Sequence, residues 1–185
     1  MSPTAMPPAT DPFAMLGLRA TFDLTREQIE RAYLAKAAAL HPDTAGDDAA
    51  RDAAERGSAA LNQAARTLRD RERRANALLA HVGGPTKEAD RSLPDGFLAQ
   101  IMETRMQIEA DAGDAEARAR WERWAETERD AFARSVSAQF AALAVPATPE
   151  SLAEIRRTLN AWRYIERLIE QLDPAYDPAR ADFEA

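Results

Sequence analysis

Apolar residues recur at three- and four-residue intervals along most of the chain, and proline or glycine breaks cut that pattern into helical segments. A short apolar run from Asp11 to Leu18 comes first. Thr25-Arg26-Glu27-Gln28 then has the form of a capping box, in which side chains satisfy the unpaired N–H groups of a helix start, and it predicts a helix from Arg26 to Leu40. Ile29, Tyr33, Ala37 and Leu40 fall on one face of it. Pro42 denies that helix its continuation, because proline lacks an N–H and disfavours helical geometry in the residue before it. From Asp47 an alanine-rich pattern resumes and runs to about Arg69, offering Ala53, Gly57, Ala60, Leu61, Ala64 and Leu68 at matching intervals. The two helices are predicted to lie antiparallel and to hold His41, Pro42 and Asp43 at their tip. Arg71 to His81 predicts a short fourth helix, ended by Gly83-Gly84.

The second half repeats the theme at greater length. Residues 85–94, rich in proline and charge, read as a linker, and residues 95–172 carry three helical patterns. These run from Asp95 to about Ala110, from Asp114 to about Leu143, and from Pro149 to about Leu172, the last two separated by Val145 to Pro149. Trp121, Trp124, Phe132, Val136, Phe140 and Leu143 make one seam, and Leu152, Ile155, Leu159, Trp162, Ile169 and Leu172 another, with the tryptophans expected in the core. The expected fold class is all-α: an antiparallel helical hairpin with short helices (residues 11–84), then a three-helix bundle. Residues 1–10, with their prolines and small polar side chains, read as a disordered arm, and residues 173–185 as a tail.

Composition narrows the chemistry. The chain has 185 residues, 30% of them charged, and no cysteine, so thiolate metal ligation and disulfides are out of reach. No apolar run approaches the roughly 20 residues that span a bilayer, and the first residues lack the basic and apolar regions of a signal peptide; a cytoplasmic protein without membrane partners is expected. Residues 1–84 balance 11 Lys/Arg against 11 Asp/Glu, while residues 85–185 hold 13 against 20. That balance argues against nucleic acid, which needs a basic footprint. His41 and His81 are the only histidines, and no serine or cysteine motif accompanies them. Intrinsic catalysis is therefore not expected.

A polar His-Pro-Asp tripeptide between two helices is ordinary turn chemistry when taken alone. Its surroundings make it more. In order, the run Asp11 to Leu18, the helix with Ile29 to Tyr33, His41-Pro42-Asp43, then Asn62-Gln63-Ala64, Leu68-Arg69-Asp70 and Arg74-Ala75 with Leu78-Leu79 resemble a J-domain. They are similar in particular to the J-domain of the HscB-type co-chaperones of iron–sulfur cluster assembly, and the resemblance extends over roughly residues 11–172. It implies that His41, Pro42 and Asp43, helped by Arg31 and Lys36, engage a heat-shock chaperone ATPase of the HscA/DnaK class and stimulate it. Asp43 would offer a carboxylate to a cationic partner group. Helix two departs from the family pattern: Leu34, Ala35 and Ala39 stand where many J-domains are basic, and Lys36 stands where an apolar residue is usual, its stem expected to lie along the core edge.

The first bundle helix has more apolar residues than one seam needs. Phe97, Ile101, Thr104 and Ile108 share a face, and Leu98, Met102 and Met106 form a second stripe about 100° away. Tyr164 and Leu168 sit to one side of the main seam of the last helix. These flanks either pack against each other or form an exposed, methionine-containing docking patch. The resemblance implies docking of an iron–sulfur cluster scaffold protein on Leu98, Met102 and Tyr164, with Glu103 and Arg105 as polar contacts, and no cofactor in this chain. A J-domain protein for another client, or a helical adaptor unrelated to chaperones, are the alternatives.

Overall fold

The computed structural model describes residues 11–39, 48–111 and 113–172, with side chains at 48–51 left aside. All regular structure among them is helical. The order is α1 (Pro12–Leu16), α2 (Arg26–Ala39), α3 (Asp48–Arg69), α4 (Arg71–His81), α5 (Phe97–Ala110), α6 (Ala115–Ala141) and α7 (Pro149–Leu172). Two compact units divide between Gly83 and Gly84, and each is a separate core.

In the first unit, local capping chemistry sets the helix ends. Asp11 caps α1 by accepting from the Phe13 amide at 2.9 Å, and Gly17 closes it with φ 67°, a left-handed conformation that costs glycine little. Thr25 and Gln28 form the expected reciprocal box, Gln28 N to Thr25 Oγ1 at 3.2 Å and Thr25 N to Gln28 Oε1 at 2.8 Å. The core is built from Phe13, Leu16, Phe22, Ile29, Leu61, Ala64, Ala65, Leu68, Ala75, Leu78 and Leu79. Only Ile29 of α2 is fully buried among the described residues; Tyr33 and Ala37 are half-buried, and Ala53 of α3 is exposed. Polar links complete the α2–α3 pairing. The Tyr33 hydroxyl donates to Asn62 Oδ1 at 2.8 Å, and Arg69 forks onto Glu30 from Nε (2.7 Å) and Nη2 (2.9 Å). Because 30 pairs with 69 and 33 with 62, the two helices are antiparallel.

The described residues from Asp70 to His81 have structural tasks here. Arg74, Ala75, Leu78 and Leu79 are the buried residues of α4. Asp70 caps α4 through the Arg73 amide at 2.9 Å. Arg74 lies with its guanidinium 5.4 Å from the centre of the Phe22 ring and donates from Nη1 to the Leu24 carbonyl at 2.8 Å, anchoring the α1–α2 connection. Burial, reinforced by the neighbouring Arg71 charge, pushes the Arg74 pKa down. His81 Nδ1 meets Asp11 Oδ2 at 2.9 Å, which ties the end of α4 to the start of α1.

In the second unit, α6 and α7 pair antiparallel, as Gln139–Thr158 (3.0 Å) and Arg129–Glu166 bonds show. The contact differs from the expected aromatic seam. Ala117, Ala125, Ala133 and Val136 are the buried residues of α6, whereas Trp121 and Trp124 are only half-buried. Small side chains line the contact with α7, and the bulky indoles are displaced to its flank. There they pack edge to face, with centroids 5.7 Å apart, and Trp121 Nε1 donates to Asp111 at 2.9 Å. Trp162 alone of the three is fully buried. Leu168, expected beside the main seam, is core: it forms a cluster with Ile101 and Ile165, flanked by Phe97, Ile108, Trp124, Phe132, Tyr164 and Ile169. That cluster fastens α5 to the α6–α7 pair. Residues 90–92 are also held, because Asn160 Nδ2 donates to the carbonyls of Asp90 (3.0 Å) and Ser92 (2.9 Å).

Candidate functional site

Two surfaces follow from the sequence expectations, one in each unit. On α2, Arg31 and Lys36 are both exposed. Five residues apart, they project about 140° from one another around the helix. The Lys36 stem runs beside Gly17, its Cε 3.5 Å from where a Cβ would stand. Between them Leu34 is 63% exposed, a large apolar side chain on the surface. His41, Pro42 and Asp43, with Leu40, lie outside the described residues.

The second surface is set by the two stripes of α5. Ile101 turns into the core, and its neighbours Leu98, Met102 and Met106 are 49%, 59% and 69% exposed. Tyr164 is half-buried, edge to face with Phe97 at 5.9 Å between centroids. Together α5 and α7 bound a shallow groove of about 140 Å³, lined by Leu98, Ile101, Met102, Arg105, Tyr164, Arg167, Leu168 and Gln171. The structure therefore brings Leu98, Met102, Arg105 and Tyr164 around one concavity. Glu103 is exposed, 3.5 Å from Gln107 Nε2, and is not among the lining residues. Arg105 is held by Glu109 at 2.9 Å, one turn further along α5. Leu168 supplies part of the floor, and Arg167 and Gln171 part of the wall. Sequence reasoning did not single out those last two, although 164, 167, 168 and 171 have the spacing of one helix face. Among the described residues no three His, Asp or Glu side chains gather as a metal site, and no helix is long and apolar enough to cross a membrane.

Comparison with known proteins gives this arrangement its lineage. The DnaJ domain family matches residues 11–77, and the HSCB C-terminal oligomerisation domain family matches residues 93–173. A Co-chaperone protein HscB homolog from Bordetella petrii is 30% identical over 172 residues, covering 90% of this chain and 96% of that one. The chain belongs to the HscB co-chaperone family. A second HscB homolog, from Bordetella avium, is 29% identical over 89% of the chain. Human co-chaperone protein HscB superposes with a TM-score of 0.75 at 22% identity, over 91% of this chain and 83% of that one. HscB from Vibrio cholerae gives a TM-score of 0.72 at 21% identity, over 88% and 95%. At such identities the two structures speak to fold alone, and the order of a J-domain followed by an HscB C-terminal domain in this chain comes from the two family matches.

Proposed function

We propose that this HscB-family chain stimulates the ATPase of a heat-shock chaperone of the HscA/DnaK class while delivering an iron–sulfur cluster scaffold protein to it, in the cytoplasm. His41, Pro42 and Asp43, with Arg31 and Lys36, form the chaperone contact, and Leu98, Met102, Arg105 and Tyr164 form the scaffold contact, with Glu103 at its margin. The observation that carries the second half is the α5 groove. Its floor is core, yet its rim leaves about half or more of Leu98 and Met102 open to water, apolar surface that gains by being covered. Methionine suits such a rim because its unbranched side chain adapts to a partner. The chain acts by holding two proteins together, and the chemistry, ATP hydrolysis, belongs to the chaperone. Steady-state ATP hydrolysis by the chaperone tests the proposal. Addition of this chain should raise the rate, and addition of the scaffold protein as well should raise it further. A rate unchanged by the chain would overturn the assignment.

A further inference from the structure

The groove between α5 and α7 carries two guanidinium groups beside its apolar side chains, Tyr164 and Gln171, and the two differ in one respect. Arg105 has a carboxylate from its own helix, Glu109 at 2.9 Å. The neighbouring cations of α7 and its contact are likewise matched, Arg163 with Glu170 at 3.0 Å and Arg129 with Glu166 at 2.6 Å. Arg167 lines the groove without a hydrogen-bond or carboxylate partner among the described residues. This is the more notable because residues 85–172 carry 16 acidic side chains against 12 basic ones.

A partner seated on Leu98, Met102 and Tyr164 necessarily strips water from Arg167. Dehydrating a cation without a counter-charge costs free energy, whereas a carboxylate set against it in the same desolvated contact restores that cost and adds a directional bond. Arginine suits this better than lysine would, since its planar fork matches a carboxylate with two parallel N–H bonds and is less strongly hydrated.

We propose that Arg167 is the specificity-determining residue of the groove, and that its occupant is a protein surface presenting an apolar side chain next to a carboxylate. This deepens the scaffold-docking reading and rests on it: the scaffold protein would cover Leu98 and Met102 with the apolar residue and clamp Arg167 with the acidic one.

The test is calorimetric titration of the full chain with the iron–sulfur scaffold protein at low and high salt. Arg167→Glu should weaken binding by about tenfold or more, since it sets a like charge against the partner's carboxylate in a desolvated contact. Arg167→Lys should keep most of the affinity, and Arg167→Gln should remove most of its salt dependence. Arg123→Glu, an equal charge change at an exposed position of α6 outside the groove, should bind as the unaltered chain does. Equal affinities for Arg167→Glu and Arg123→Glu would overturn the proposal while leaving the groove as the docking site. If Leu98→Ala with Met102→Ala also leaves binding untouched, the docking reading itself fails. Sedimentation supplies the remaining arm: a dimer of the unaltered chain that Arg167→Glu dissociates would make a second copy the occupant and overturn the proposal as stated.

Discussion

Glu166 receives both arms of the Arg129 guanidinium, Nε on Oε1 at 2.8 Å and Nη2 on Oε2 at 2.6 Å, while Oε1 also accepts the indole N–H of Trp162 at 2.8 Å. One carboxylate thus joins α6 to α7 and satisfies the polar end of the largest buried side chain in the bundle.

Glu166→Ala should accordingly destabilise the second unit well beyond an ordinary surface change. It removes a charge-assisted bidentate pair and the carboxylate that accepts the Trp162 N–H, effects that together amount to about 2–4 kcal/mol. Urea unfolding followed by Trp fluorescence measures it. A midpoint unchanged from the parent chain would mean that the pair contributes nothing.

The α5 stripe and the α7 core make opposite predictions from residues that lie side by side. Leu98→Ala with Met102→Ala should leave the fold intact, since both side chains are about half exposed or more, and should abolish scaffold capture. Leu168→Ala, at 4% exposure within the Ile101–Ile165 cluster, should cost about 2–5 kcal/mol. Comparing thermal melting with scaffold binding for the two variants separates docking from packing. Tyr164→Ala should fall between them, because the ring also packs on Phe97.

His41→Gln and Asp43→Asn should each abolish stimulation of the chaperone ATPase with circular dichroism unchanged. The basis is the matching position of the tripeptide in a J-domain between two helices. Full stimulation by either variant would exclude the tripeptide as the chaperone contact.

Acid should weaken the segment ahead of α5 in a specific way. Asp90 is held below the usual carboxylate range, first by the side chain and then by the backbone amide of Ser92, the latter bond being 2.9 Å. A depressed carboxyl pKa means that the folded state favours the ionised form. Its stabilising contribution is therefore complete above the unfolded value near pH 4 and is lost as pH falls through the lower folded value. Asp90→Ala should be less stable than the parent chain at neutral pH, and the difference should shrink toward pH ~3. A difference independent of pH, measured by urea unfolding across that range, would dissociate the effect from ionisation.

Much of this molecule was legible along the chain because its determinants are local. Capping at Thr25–Gln28, the stop at Gly83, and the apolar periodicity of α5 and α7 depend on residues within a turn of each other, so helix positions and the all-α class followed directly. The ordered motifs from Asn62 to Leu79 were informative for the same reason: they combine helix faces with the Asp70 cap and the Arg74 anchor, all within one local stretch.

Tertiary packing decided what periodicity could not. Hydrophobic spacing treats every apolar residue on a helix face as a core candidate, but it does not say which stripe of α6 meets α7. The alanines and Val136 took that contact, which moved Trp121 and Trp124 to its edge, and the same packing drew Leu168 inward beneath the groove. Whether a charge has a partner is likewise invisible in a linear pattern, because Arg129 finds Glu166 across 37 positions while Arg167, on the same helix as Glu166, faces the groove. Sequence determined which helices form and which family they serve; the choice of buried stripe, and with it the rim left open for a partner, belongs to the fold, since only there do side-chain volumes and charges compete for the same space.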